Sequence, residues 1–227
     1  MEDKKMRQMS ETFRLGALLA LAGGFLDSYT YLVRGGVFAN AQTGNLVLLG
    51  VSLAEGRLER AVHYLIPVLA FAGGVVVAEL LKRRGRRRDA GLHWRQTVLA
   101  AELLLLILVA FLPQQLNALA NVLVSFICAM QVESFRKVNG NAFATTMCTG
   151  NLRSGTERLF LYFTTGEVDH RHRAGQYYGI ILCFVAGAAL GALVSGWLGI
   201  RSVLAAGVFL LAAFLLMFRV ESSCTGE

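Results

Sequence analysis

Charged residues are scarce in this sequence, and long uncharged runs are prominent. Charged side chains make up 16% of the 227 residues, whereas a soluble domain carries about 25%. No charge occurs between Ile180 and Ile200 or between Val203 and Phe218. Since a bilayer-spanning helix needs roughly 20 mostly apolar residues, this deficit argues against an ordinary soluble domain. It predicts an all-α, polytopic membrane protein.

Motifs of catalysis and metal binding are also missing from the sequence. There is no Ser-His-Asp arrangement, no His-x-x-x-His pair and no phosphate-binding loop. The four cysteines fit neither a metal-binding spacing nor the disulfide framework that is typical of small secreted domains. We therefore expect no enzymatic activity, no cofactor and no metal site.

The net charge of +7 reflects, in part, one dense cluster of basic residues. Its members are Lys82, Arg83, Arg84, Arg86, Arg87 and Arg88. Such a cluster beside a membrane helix usually marks the cytoplasmic end and contacts anionic lipid head groups. No aromatic residues interleave with it, as stacking on nucleic acid would require. We expect a lipid contact and no nucleic-acid partner.

An internal repeat is the most informative pattern in the chain. Thr43-Gly44-Asn45-Leu46 recurs 106 positions later as Thr149-Gly150-Asn151-Leu152. At the same offset, Asp27-Ser28-Tyr29 returns as Glu133-Ser134-Phe135. These matched positions include polar residues inside apolar stretches, where polar groups are costly. A duplicated membrane protein with matched polar residues is typical of transporters and channels.

The repeat divides the apolar stretches into two sets of four. Residues 1–112 form repeat one, residues 117–219 form repeat two, and residues 220–227 form a short polar tail. A looser match at an offset of 113 aligns Phe71 with Phe184, and Gly74 with Gly187. The eight predicted segments are 14–33, 37–54, 61–81, 95–112, 117–135, 142–163, 174–198 and 201–219.

Charge bias predicts the topology, because Lys and Arg accumulate on the cytoplasmic side. If all eight segments cross, the 22 basic residues divide evenly between the two sides. If segments 37–54 and 142–163 enter and return to the same side, only four stay outside: Arg34, Arg57, Arg60 and Arg201. Both termini are then cytoplasmic. Each repeat contributes three crossings and one re-entrant segment, so the two repeats are inverted.

The two re-entrant segments carry candidate binding residues. A polar, Gly-broken stretch is tolerated in a membrane only where it faces protein or a wet cavity. We expect Thr43 and Thr149 to cap short helices beginning at Asn45 and Asn151, whose N-termini would favour an anion or a carbonyl-bearing solute. The alternative is a packing motif of small residues. The predicted solute or ion contacts are Asn40, Gln42, Thr43, Asn45, Thr149 and Asn151.

Two matched acids, Asp27 and Glu133, are the further candidates. An acid near the bilayer centre costs about 2.5–3.5 kcal/mol on insertion scales, which suggests a functional reason for keeping it. A carboxyl group that gains and loses a proton as access alternates would couple transport to protons. As alternatives, Asp27 pairs with Arg34 on its own helix, and Glu133 forms an ion pair with Arg136 at the cytoplasmic edge.

Three strings resemble the signature of a known family. They are Gly23-Gly24-Phe25-Leu26-Asp27, Gly35-Gly36-Val37-Phe38 and the run from Thr43 to Gly50. Together they are similar to the YoaK-like bacterial membrane proteins, which are described as predicted integral membrane proteins or permeases. The resemblance covers nearly the whole chain. It implies a multi-pass protein of the bacterial inner membrane and says little about the substrate.

These patterns predict a small secondary transporter with a midplane site between inverted repeats. Asp27 is the predicted coupling acid, with Glu133 in support. Two other functions stay open: a passive channel, and a non-transporting membrane subunit that binds lipid or a partner. The identity of the solute, the coupling ion and the formation of a homo-oligomer also stay open.

Overall fold

The computed structural model describes residues 12–85, 94–138, 141–142 and 148–224. Within them, eight α-helices correspond one to one to the eight predicted segments, which confirms the all-α architecture. The helices are α1 (Phe13–Val33), α2 (Gln42–Ala54), α3 (Leu58–Gly85), α4 (Trp94–Phe111), α5 (Asn117–Ser134), α6 (Cys148–Thr165), α7 (Val168–Leu198) and α8 (Val203–Cys224). Two-residue strands β1 (Lys137–Val138) and β2 (Asn141–Ala142) pair antiparallel. Part of the predicted segment 142–163 and Arg86, Arg87 and Arg88 lie outside the described residues.

Five stretches of the described chain are long and apolar enough to cross a membrane. They are Phe13–Val33, Leu58–Arg84, Trp94–Phe111, Gln114–Ser134 and Val168–Met217. The fifth has 50 residues and includes α7 and most of α8, joined by a short 3-10 turn. The protein is therefore a multi-pass membrane protein.

Neither α2 nor α6 is among these five stretches. With 13 residues, α2 is about 20 Å long, which is shorter than the roughly 30 Å hydrocarbon core of a bilayer. Although α6 has 18 residues, it carries Arg153, Glu157 and Arg158. These are the helices of the two segments that charge bias predicts to be re-entrant.

Equivalent helix contacts join the two halves of the chain. Helix α1 packs on α7, and its repeat counterpart α5 packs on α3. Helix α2 packs on α3 as α6 packs on α7, and α8 packs on α1 as α4 packs on α5. The third helix of each half therefore lies against the first helix of the other half.

Glycine makes the close crossings possible in both halves. A Cβ atom at Gly187 would collide with the backbone oxygen of Leu21 in α1, and a Cβ at Gly74 would collide with that of Phe126 in α5. Small residues let helix backbones approach this closely. The offset of 113 that aligned Gly74 with Gly187 thus marks the same contact in each half.

Helices α1 and α5 run antiparallel. At the C-terminal end of α1, the Asn121 side chain donates to the backbone oxygen of Arg34 over 2.7 Å. Nearer the start of α1, the Gln131 side chain donates to the backbone oxygen of Leu19 over 3.1 Å. The N-terminal part of α5 therefore lies beside the end of α1, and its C-terminal part lies beside the start.

Arg34 is fully buried and holds the end of α1 to the end of α4. Its Nε donates to the Tyr29 hydroxyl over 2.7 Å, and its two Nη atoms donate to the carbonyls of Val109 (2.8 Å) and Leu112 (2.9 Å). The last carbonyls of a helix carry partial negative charge. The alternative that Arg34 pairs with Asp27 is wrong, because the guanidinium bonds to these groups instead.

Candidate functional site

A cavity of about 580 Å³ lies beside Asp27. Its walls come from α1, α3, α5 and α7, from the loop before α2 and from the first turns of α2 and α6. Five of the predicted site residues line it: Asp27, Asn40, Gln42, Thr43 and Thr149. The structure therefore brings the acid of repeat one and both Thr-Gly-Asn turns to a common space.

Asp27 is buried, with 4% of its surface exposed. Its Oδ1 accepts the backbone N–H of Asn40 over 2.6 Å, and the N–H groups of Ala39 and Ala41 also interact with the carboxyl group. Its Oδ2 has no hydrogen-bond partner among the residues that the structure describes. Asp27 thus orders the loop before α2 with one oxygen, and its other oxygen is buried without a hydrogen bond to the described residues.

Asn45 shapes the loop and is not among the residues that line the cavity. It is fully buried. Its Oδ1 accepts the N–H of Phe38 over 2.9 Å, and its Nδ2 donates to the carbonyl of Phe38 over 2.8 Å. A Cβ atom at Gly44 would meet the Phe38 ring at 2.8 Å. Gly44 and Asn45 therefore fix Phe38 over the start of α2, so Thr43 is the residue of this motif left to contact a solute.

The predicted helix start at Asn45 is wrong, because α2 begins three residues earlier. Ala41 is the N-cap, and no side chain caps the helix there. Thr43 consequently lies in the first turn, where its side chain is exposed to the cavity. Asn45 already holds the loop backbone, so the helix begins before the motif rather than inside it.

The second Thr-Gly-Asn turn lies near the start of α6, which in the described chain begins at Cys148. Thr149 therefore lies within the first helical turn, and the predicted start at Asn151 is wrong here too. Cys148, Thr149 and Gly150 all line the cavity. Asn151 is buried and is not among the lining residues, as for Asn45 in the first half.

Four aromatic side chains line the cavity, and none of them is among the predicted solute or ion contacts. Phe71 and Phe184 come from α3 and α7, while Tyr31 and Phe38 stack with ring centroids 4.9 Å apart. The offset of 113 had aligned Phe71 with Phe184. That match was a usable signal, because it aligned an aromatic residue in the third helix of each half, and both residues line the cavity.

Glu133 is not among the lining residues of the cavity. Its Oε1 lies 3.3 Å from Nη1 of Arg136 and 3.6 Å from Nζ of Lys82. Lys82 also pairs with Glu79 over 2.9 Å. This arrangement is the edge ion pair that the sequence offered as the alternative for Glu133.

A second acid, Glu102 in α4, is buried outside the cavity. Only 1% of its surface is exposed, and neither carboxyl oxygen has a hydrogen-bond partner among the described residues. Glu102 has no acidic counterpart in the second half of the chain that would have marked it as a candidate.

Comparisons with known proteins agree with the membrane fold. A family described as "Protein of unknown function (DUF1275)" matches residues 15–216. The UPF0700 transmembrane protein YoaK of Bacillus subtilis (strain 168) is 28% identical over 153 residues, which is 63% of this chain and 65% of that protein. The alignment thus spans slightly less than two thirds of that relative. No solved structure is significantly similar to this chain. The resemblance to the YoaK-like family is confirmed.

Proposed function

The chain belongs to the family described as DUF1275, and we propose that it is a small secondary transporter whose solute occupies the cavity beside Asp27. One observation carries the proposal. The 580 Å³ cavity is lined by a buried carboxylate and by the first turns of two short helices. Broken helices that meet around a polar space are where transporters built from repeats place their solute sites. The volume lies within the range of small-molecule pockets.

The proposed architecture is two inverted repeats with three crossings each. It is supported by the antiparallel run of α1 and its counterpart α5, and by packing partners that stay equivalent when the halves are exchanged. Counting α7 and α8 as two crossings within Val168–Met217 gives six in all. Helices α2 and α6 then enter from opposite sides and return.

The proposed orientation has both termini in the cytoplasm of a bacterium, with the protein in the inner membrane. It puts the end of α1, the end of α4 and the turn before α8 on the outer side. These ends lie together, since Arg34 bonds to Leu112 and the Tyr29 hydroxyl donates to the carbonyl of Ile200 over 3.1 Å. On the opposite side, Lys82 and its basic neighbours would contact anionic lipid head groups.

Asp27 is the proposed coupling group. It is buried beside the cavity, and no Lys, Arg or His forms an ion pair with it among the described residues. A carboxylate in that position needs either a proton or a cationic ligand to offset its charge. Exchange of one for the other, as the cavity opens to each side in turn, would couple solute movement to the proton gradient.

Cysteine accessibility tests the transporter proposal without knowledge of the solute. Cys148 lines the cavity, so a variant that keeps Cys148 and replaces Cys128, Cys183 and Cys224 reports access to it. We expect a membrane-impermeant methanethiosulfonate reagent to modify Cys148 in both right-side-out and inverted vesicles. Modification from one side alone would contradict transport through this cavity.

Two controls fix the interpretation of that experiment. Glu55→Cys, in the turn after α2, is expected to react only from the outer side, and reaction from the inside would reverse the proposed orientation. Since the thiolate is the reactive form, modification should accelerate as the pH rises.

A further inference from the structure

The cavity combines one acidic side chain with several aromatic side chains. Among the described residues that line it, Asp27 is the charged side chain, and no Lys, Arg or His is present. Phe71, Phe184, Tyr31 and Phe38 supply four aromatic rings. The composition of this lining constrains the charge and shape of a ligand more closely than the fold does.

The charge of Asp27 is not neutralised from within its own helix. Arg34 lies two turns along α1, but its guanidinium is bonded to Tyr29 and to the carbonyls of Val109 and Leu112. A buried carboxylate with an unpartnered oxygen is costly unless a cation or a proton joins it. When Asp27 is ionised, no Lys, Arg or His among the described residues offsets its charge, so we infer that a cationic ligand supplies the counter-charge.

The N-terminus of α2 does not favour an anionic solute, because Asp27 already occupies it. The N–H groups that precede this helix already face the Asp27 carboxyl group, with Asn40 donating over 2.6 Å. Asp27 is itself the anion at that N-terminus. A second anion would be repelled by the carboxylate in a low-dielectric space.

The aromatic rings determine which kind of cation fits. A bare metal ion prefers a cage of several oxygen ligands, and no group of three or more His, Cys, Asp or Glu suited to a metal occurs in the described part of the chain. Aromatic faces instead attract organic ammonium groups and cover the apolar parts attached to them. Phe71 and Phe184 belong to equivalent helices and both line the space.

We propose that the cavity binds an organic cation, in which an ammonium group lies beside Asp27 and an attached apolar group packs against Phe71 and Phe184. As a statement about the transported substrate, this rests on the proposed function. As a statement about binding, it stands by itself. Asn40 and Gln42, whose side chains carry amides, and Thr43 and Thr149 would contact the remaining polar edge of the ligand.

Matched pairs of ligands with opposite charge test the proposal on the purified full-length protein in nanodiscs. The cations are benzyltrimethylammonium, phenyltrimethylammonium and tetraphenylphosphonium, and their anionic counterparts are benzylsulfonate, benzenesulfonate and tetraphenylborate. Isothermal titration calorimetry is expected to detect binding of at least one cation and weaker or no binding of its counterpart. Failure of all three cations, or equal binding of the anions, would overturn the proposal.

Variants of the wall give an independent readout of the same binding. Asp27→Asn keeps an oxygen that can accept the Asn40 N–H, so the loop is expected to stay folded while affinity for the cation falls roughly tenfold or more. Phe71→Leu and Phe184→Leu should each weaken binding about fivefold. The control Glu133→Gln, outside the cavity, should leave affinity unchanged. Unchanged affinity in all three wall variants would overturn the site.

Flux measurements separate this proposal from the transporter proposal. In proteoliposomes, uptake of the radiolabelled cation that binds best supports both. Binding of that cation without uptake, in vesicles where the protein is correctly inserted, contradicts the transporter and leaves the cation site standing. Saturable uptake of benzylsulfonate that Asp27→Asn does not reduce leaves the transporter standing and contradicts the cation site.

Discussion

Asp27 and Glu133 occupy equivalent places in the two halves, yet their surroundings are opposite. Asp27 has 4% of its surface exposed and lines the cavity, and one of its oxygens has no hydrogen-bond partner among the described residues. The side chain of Glu133 is 12% exposed and lies within ion-pair distance of Lys82 and Arg136. The same carboxyl chemistry therefore serves a cavity in one half and an edge ion pair in the other. The two halves therefore share their helix packing and differ in the surroundings of this acid.

We expect equivalent substitutions at the crossing of α7 on α1 and at the crossing of α3 on α5 to have similar effects on stability. Gly187→Ala and Gly74→Ala each push a methyl group into a backbone carbonyl. We expect each to destabilise the folded protein by about 3 kcal/mol or more, with loss of monodisperse protein in size-exclusion chromatography. A large effect in one half alone would show that the packing is less equivalent than the contacts indicate.

Neighbouring glycines provide the matched controls for these crossings. Among the described residues, apart from the backbone of its own helix, no atom lies within 4 Å of a Cβ atom built at Gly73 or Gly196. Gly73→Ala and Gly196→Ala should therefore be tolerated or slightly stabilising, because alanine favours a helix by about 1 kcal/mol over glycine. Destabilisation by these controls would attribute the effect to helix propensity or lipid contact rather than to the crossings.

Arg34 is a buried charge like Asp27, but its role is structural, because its guanidinium bonds to the backbone at the end of α4. Arg34→Gln leaves the carbonyls of Val109 and Leu112 without their cationic donor. The expected loss is about 3 kcal/mol in the free energy of unfolding, measured by thermal unfolding followed by tryptophan fluorescence. Arg34→Lys should recover part of it, since an ammonium group cannot reproduce the planar fork. A loss no greater than that of Arg201→Gln, on the exposed 3-10 turn, would contradict the structural role.

The eight helices could be predicted well from the sequence, because apolar runs and the distribution of charged residues are local features that do not depend on tertiary contacts. The sequence also assigned Asp27, Thr43 and Thr149 to one candidate site, because polar residues that recur inside apolar stretches are costly without a function, and all three line the cavity. It failed where a side chain acts on a distant backbone. Asn45 binds the backbone of Phe38 and so moves the helix start, and Arg34 bonds to carbonyls 75 or more residues away. No local pattern encodes either contact.

We expect the neutralisation of Asp27 and that of Glu133 to affect transport unequally, while both variants stay folded. Asp27→Asn is expected to reduce uptake of the bound organic cation into proteoliposomes to background, and a protonophore should have the same effect on the wild type. Glu133→Gln should stay within about twofold of the wild type, because a partly exposed ion pair contributes little. Uptake that survives in Asp27→Asn would reject its coupling role.

The pair of Glu133 and Lys82 should give the smallest effect. Their charged atoms lie 3.6 Å apart, and the Lys82 side chain is 23% exposed and shared with Glu79. A double-mutant cycle of Glu133→Gln and Lys82→Met is expected to give a coupling energy below about 1 kcal/mol. Raising the salt concentration should lower it further, since exposed charges are screened. A coupling energy above about 3 kcal/mol would mean that Glu133 interacts with Lys82 as strongly as a buried acid interacts with its partner. The two matched carboxylates would then differ less than their positions indicate.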